Sequence, residues 1–137
     1  MLWQACAMLR ATFLLALGLS ACQPDETISG YAGTDREWRL VEAVGQPITQ
    51  RITLTFPEEG EIAGHAPCNA YTARQTLPYP WFKIEGLAAT RAACPELELE
   101  GTYFAMLMSM SLSEVAGDTL ILSNEAGMQL VYRAAPD

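Results

Sequence analysis

Few residues in this chain are equipped for chemistry. There is one histidine, His65, and there are four cysteines, Cys6, Cys22, Cys68 and Cys94. A Ser-His-Asp nucleophile would have to use His65, which falls in an expected strand close to Cys68 and reads as an ordinary surface or core histidine. Cys68 and Cys94 are not spaced as a CxxC pair, which argues against dithiol redox chemistry. Met106, Met108 and Met110 carry the soft sulfur that suits Cu(I). On a helix, however, Met106 and Met110 share a face while Met108 points largely away, so they read as core filler. Glu58, Glu59 and Glu61 flank a turn without the spaced ligands of a calcium loop. A glycine-rich phosphate loop is absent. The expectation is a protein that is not an enzyme, with no catalytic residues, no metal and no cofactor.

The N-terminus carries an address. Residues 11–21 read ATFLLALGLSA, uncharged, with Arg10 just before them. A short positive region followed by such a run is a secretory signal pattern. The run is too short to cross a bilayer, which takes about 20 apolar residues. Extending it back to Leu2 would bury Arg10 near mid-span, at about 2.5–3.5 kcal/mol. Leu19-Ser20-Ala21-Cys22 then resembles the bacterial lipobox, in which the cysteine becomes the lipid-bearing N-terminus; several acyl chains anchor stably where one does not. Gln23, in place of the Asp that tends to retain lipoproteins in the inner membrane of enteric bacteria, points to the periplasmic face of the outer membrane. The membrane contact expected is therefore through lipid on Cys22. Residues 23–33 hold Pro24, Asp25, Glu26, Ser29, Gly30 and Gly33 without apolar period, and read as a tether. The expected organisation is a signal peptide at 1–21, a flexible tether at 22–33, a folded domain at 34–134 and a tail at 135–137.

With Cys6 removed and Cys22 lipidated, Cys68 and Cys94 remain in an oxidising compartment. An even pair there is most simply a disulfide. Two buried thiols or a metal pair are the alternatives, the second short of ligands.

The elements that must position these residues follow from periodicity and composition. The chain is 50% hydrophobic, too apolar for disorder, and its net charge of −8 argues against nucleic acid. Its 137 residues suit one domain. Residues 38–44 lean to strand. In 51–56, Ile52, Leu54 and Phe56 alternate with Arg51, Thr53 and Thr55, the clearest strand of the chain. Pro57-Glu58-Glu59-Gly60 is a turn leading back into 61–65, and 68–75 could be a third strand. Pro78 and Pro80 interrupt, and 81–85 resume alternation with Phe82 and Ile84 on one face. Residues 95–110 are rich in helix formers, with Leu99, Tyr103, Met106, Leu107 and Met110 at helical spacing and glutamates in the first turns, where they suit the dipole. Residues 118–123 and 128–133 flank Asn124-Glu125-Ala126-Gly127 as a closing hairpin. The fold class expected is mainly β: a small antiparallel, partly closed barrel-like sheet with one helix at about 96–110 before the C-terminal hairpin.

Two runs carry a family resemblance. Gly64-His65-Ala66-Pro67-Cys68-Asn69-Ala70-Tyr71 resembles the glycine-then-Cys-Asn signature of the META domain, or HslJ-like, family. Leu87-Ala88-Ala89-Thr90-Arg91-Ala92-Ala93-Cys94 resembles its Leu-Ala-x-Thr-Arg-x-x-Cys run. Trp38-Arg39-Leu40 and Gly117-Asp118-x-Leu120-x-Leu122 match its opening and late strands, so the likeness runs from about 35 to 133. Pro67, Ala73 and Gln75 depart from the family pattern, which bears on local turn geometry. The resemblance implies a mainly β fold with one helix and a bacterial cell-envelope protein, often a lipoprotein, associated with heat induction, antibiotic tolerance or motility. Asn69, Thr90 and Arg91 recur in the signatures. They read either as a polar site near the cysteines or as backbone-bonding turn residues, with Arg91 pairing an acidic neighbour. Two functions follow as expectations: a non-catalytic envelope lipoprotein that supports stress tolerance by binding a protein partner, and a carrier of a small apolar ligand or lipid within the barrel.

Overall fold

A computed structural model describes residues 23–136. The signal-peptide and lipid-attachment readings at 1–21 and Cys22 lie outside the described residues. Nine strands and two helices follow one another among the described residues: α1 (Ile28–Ala32), β1 (Glu37–Ala43), β2 (Gln46–Pro47), β3 (Thr53–Thr55), β4 (Glu61–His65), β5 (Ala70–Arg74), β6 (Glu85–Ala89), α2 (Leu97–Ser109), β7 (Leu112–Ala116), β8 (Thr119–Ser123) and β9 (Gln129–Ala134). Eight strands form one antiparallel sheet in the order β6-β5-β4-β3-β1-β9-β8-β7, curled into a half-barrel, with β2 paired to β1. None of the described helices is long and apolar enough to cross a membrane.

The apolar faces read from the sequence in 51–56 and in the C-terminal hairpin are buried, but Thr53, expected on the opposite face, is buried as well. Ile52, Leu54 and Phe56 are fully buried, as are Leu120, Leu122, Leu130 and Tyr132 of the C-terminal hairpin. Burying such side chains contributes about 1.5–3 kcal/mol each. The two-residue hairpin from β1 to β2 places both Val44 (φ 49°) and Gly45 (φ 75°) in the left-handed region, the geometry that matches the twist of flanking strands. Val44 is β-branched and exposed, an unusual occupant of that position.

The sheet's open edges, β6 and β7, are bridged by the chain that leads into β6. Phe82 N–H donates to Ser111 O (3.0 Å), Ser113 N–H donates to Pro80 O (2.8 Å), and Trp81 pairs with Leu112. The Tyr79–Pro80 peptide in this segment is cis. Phe82 and Ile84 are buried together as their alternation suggested, but regular pairing starts only at Glu85.

The expected tether is shorter than the sequence suggested. Residues 28–32 form α1, with Ile28, Ser29 and Ala32 buried, and Thr27 bridges to Pro78. Asp25 organises the entry to this helix, accepting from the Thr27 N–H (2.8 Å), the Thr27 hydroxyl (2.6 Å) and the Ser29 hydroxyl. Two buried apolar residues in five dock the segment, because Ile28 and Ala32 lie one helical turn apart and face the core together while Tyr31 stays exposed.

Candidate functional site

The two signature runs meet at one end of the sheet. The first turns from β4 into β5, where Ala66 N–H donates to Asn69 O (2.9 Å). The second leaves β6 through residues 90–94 toward α2. Cys68 and Cys94 are joined by a disulfide, with Cα atoms 5.6 Å apart.

Beneath the disulfide lies Glu100, a buried carboxylate on the inner stripe of α2 with Tyr103 and Leu107. Its Oε1 accepts from the backbone N–H groups of Cys68 (3.0 Å) and Asn69 (2.8 Å), and its Oε2 accepts from Asn69 Nδ2 (2.7 Å). Among the described residues it has no ion-pair partner. A buried carboxylate without a cation needs such donors to offset its lost hydration. The Asn69 side chain is itself saturated. Its Oδ1 accepts from the Thr90 hydroxyl (2.9 Å) and Ala92 N–H (2.7 Å), while Nδ2 also donates to Ala92 O (3.0 Å). That fills both donor and both acceptor positions of the amide.

Asn69 and Thr90 are therefore brought together, and Arg91 is not. Arg91 is exposed and forms no ion pair among the described residues, contrary to the acidic partner the sequence suggested. It borders an open cleft of about 390 Å³, lined also by Asn69, Thr90, Leu97, Glu100 and Phe104. The polar atoms that Asn69 would offer to this cleft are already bonded to the protein. His65 is exposed, and Met108 is solvent-facing while Met110 is buried and Met106 half-buried, so the three sulfurs do not gather.

Sequence reasoning did not single out Glu100. It read the residue as one of three glutamates suiting the helix dipole. The available signal was its register: 100, 103 and 107 form one helical stripe, and a charge on a buried stripe needs a partner.

A second buried network lies next to the first. Tyr71 OH donates to Thr53 O (2.8 Å), and the hydroxyls of Tyr71, Tyr103 and Tyr132 follow one another at 2.9 Å. Because the single Tyr71 proton goes to Thr53, Tyr103 must donate to Tyr71 and Tyr132 to Tyr103. Burial pushes all three hydroxyls well above the usual phenol range. The chain ties α2, β5 and β9 across the concave side of the sheet. Gly64 makes room for it, since a Cβ there would overlap Thr53 O and lie 2.8 Å from the Tyr71 hydroxyl oxygen.

A half-barrel with a disulfide-clasped pair of signature turns is the architecture these residues define. The chain belongs to the META domain family, whose model matches residues 32–137. No curated protein matches it. Its fold is shared with a protein from Burkholderia xenovorans solved by NMR, at 21% identity and a TM-score of 0.63, covering 91% of this chain and 100% of that one. A second NMR structure matches at 24% identity and a TM-score of 0.59, covering 81% of this chain and 93% of the other. A crystal structure of a duf4847 family protein from Bacteroides vulgatus matches at 11% identity and a TM-score of 0.58, over 71% of this chain and 90% of that one.

Proposed function

We propose that this protein is a non-catalytic cell-envelope lipoprotein, anchored through lipid on Cys22 at the periplasmic face of the outer membrane. Its META domain supports envelope stress tolerance by binding a protein partner. The observation that carries the reading is the closure of the Asn69–Thr90–Glu100 network. The signature residues that would serve a ligand or substrate spend their hydrogen bonds on each other, which suits a scaffold. The Cys68–Cys94 disulfide fits an exported protein, and the lipobox-like run before Cys22 supplies the anchor. The carrier alternative has less support, because Trp38, Phe56, Tyr71, Tyr103 and Tyr132 occupy the interior where an apolar ligand would sit.

The test is mass spectrometry of the protein extracted from its own membrane, with crosslinking in intact cells. The expected denatured mass carries diacylglycerol on Cys22 and lacks the two hydrogens of a disulfide. The expected native mass equals the denatured one, and crosslinking yields a discrete protein adduct. A small molecule released only on unfolding would replace this reading with the carrier.

A further inference from the structure

Seven large apolar side chains are exposed among the described residues, and four of them gather at one place. Tyr31 (54% exposed) stacks on Tyr79 with ring centroids 4.1 Å apart. Trp81 (57% exposed) follows two residues later and pairs with Leu112 of β7, so the two side chains project from the same face. Leu77, exposed just before Pro78, lies beside Trp81, since Gln75 Nε2 donates to the carbonyls of both (3.0 and 3.2 Å). Helix α1, which carries Tyr31, lies against β7.

The chain's exit point is bonded to this same patch. Tyr79 N–H donates to Glu26 O (2.8 Å), and Thr27 bridges to Pro78. Only Gln23, Pro24 and Asp25 separate Glu26 from Cys22. Four Cα steps reach at most about 14 Å. A domain of this size is roughly 30–35 Å across. A lipid on Cys22 would thus hold the aromatic group at the bilayer surface and keep the far side of the domain away.

We propose that Tyr31, Leu77, Tyr79, Trp81 and Leu112 form a docking face for the lipid surface that holds the Cys22 anchor. The chemistry suits that occupant. Tyrosine and tryptophan join an apolar ring to a polar tip and settle at the headgroup level. Tyr79 already directs its oxygen inward, accepting from Val115 N–H (3.1 Å). Asp25, Glu26 and Glu59 surround the exit, so the matching surface is zwitterionic rather than anionic. The proposal rests on the lipoprotein reading and adds an orientation to it.

Tryptophan emission tests it. Cleavage before Cys22 removes Trp3 and leaves Trp38, fully buried, and Trp81. The lipidated protein is reconstituted in phosphatidylcholine vesicles whose acyl chains are brominated near the headgroup. Trp81 is expected to lose about half or more of its emission, as an interfacial indole does. Trp81→Phe should leave only the unquenched Trp38 signal. The double variant Tyr31→Ser/Leu77→Ser should weaken Trp81 quenching several-fold with the lipid mass and circular dichroism unchanged. Lipidated protein whose Trp81 emission is equal in brominated and plain vesicles would overturn the docking face and leave the lipoprotein reading standing. A mature protein without lipid on Cys22 would overturn both. An emission shift that ignores bromine but rises with protein density would assign the face to a second copy instead.

Discussion

Asn69 gives Glu100 two hydrogen bonds, one from its backbone N–H at 2.8 Å and one from Nδ2 at 2.7 Å. The two residues are 31 apart in sequence, and their pairing fastens α2 to the turn between β4 and β5. Asn69→Ala would strand the Glu100 Oε2, the Thr90 hydroxyl and both backbone groups of Ala92. Glu100→Ala would strand the N–H groups of Cys68 and Asn69. Each change is expected to cost about 1–3 kcal/mol, the penalty of unpaired buried groups. Because they act on one network, the double variant should cost less than the two together, by about 0.5–3 kcal/mol. A urea-denaturation double-mutant cycle measures this, and simple additivity would show that the network is not a unit.

The tyrosine chain has a direction, and that direction ranks its variants. Tyr103→Phe removes the middle hydroxyl, leaving Tyr132 without an acceptor and Tyr71 without a donor. Tyr132→Phe removes only the first donor. The first is expected to cost about 1–3 kcal/mol and the second about 0.5–1.5 kcal/mol. Equal losses would contradict the assigned direction.

The same three hydroxyls set an alkaline limit. Their folded values are raised by burial, so the native state favours the neutral phenols. Their contribution is complete below the unfolded value near 10 and is lost as pH rises toward the folded values. Phenolate absorbance of the buried three is expected to appear only together with the loss of near-ultraviolet circular dichroism. Ionisation of all five tyrosines in a still-folded protein would refute this.

Gly64 is required by crowding and not by a special backbone angle. Gly64→Ala places a Cβ against Thr53 O and the Tyr71 hydroxyl, where backbone must shift. We expect a loss of about 1–3 kcal/mol or more, as overpacking does, and a weakened Tyr71–Thr53 bond. Gly101→Ala is the control, since a Cβ there meets nothing within 4 Å. It sits within α2 and should stabilise by about 0.5–1 kcal/mol.

Partial burial of Asp25 opposes its charge, but hydrogen bonds from Ser29 and Thr27 outweigh this and hold its carboxyl below the usual range. The stability it lends α1 is therefore present above the unfolded value near 3.9 and lost as pH falls through the lower folded value. Amide exchange at Ser29–Ala32 should accelerate in acid before the sheet opens, and Asp25→Ala should show the same acceleration at neutral pH.

Reduction, or the paired change Cys68→Ser and Cys94→Ser, should remove about 3–4 kcal/mol for a closed loop of 26 residues, by the loop-entropy relation. Chemical denaturation with and without reductant reads it directly.

Much of the architecture is legible in local pattern. The helix expected at 96–110 spans Leu97–Ser109, and the strands around Ile52, Leu54 and Phe56 and through Leu130 and Tyr132 bury the faces their alternation indicated. Strand β7 was not legible, because the polar Ser113 holds a buried position and its neighbours Leu112 and Glu114 are exposed. Alternation without apolar contrast gives no signal. Helix α1 was hidden in a segment whose glycines, proline and acids read as tether.

The sequence by itself determined the long helix and most of the strands, though not β2, β6 or β7, together with the family signatures and the cysteines available to pair. These depend on period and on neighbours a few residues apart. The tertiary structure decided what those signatures do. It set Glu100 against Asn69, ordered three hydroxyls from Tyr132 to Tyr71, left Arg91 outside the network, and gathered Tyr31, Tyr79 and Trp81 beside the exit toward Cys22. The hydrogen bonds within the two networks join residues about 20 to 30 positions apart. Such pairs meet only when the sheet curls and α2 closes over it, and no local pattern in the chain encodes that distance.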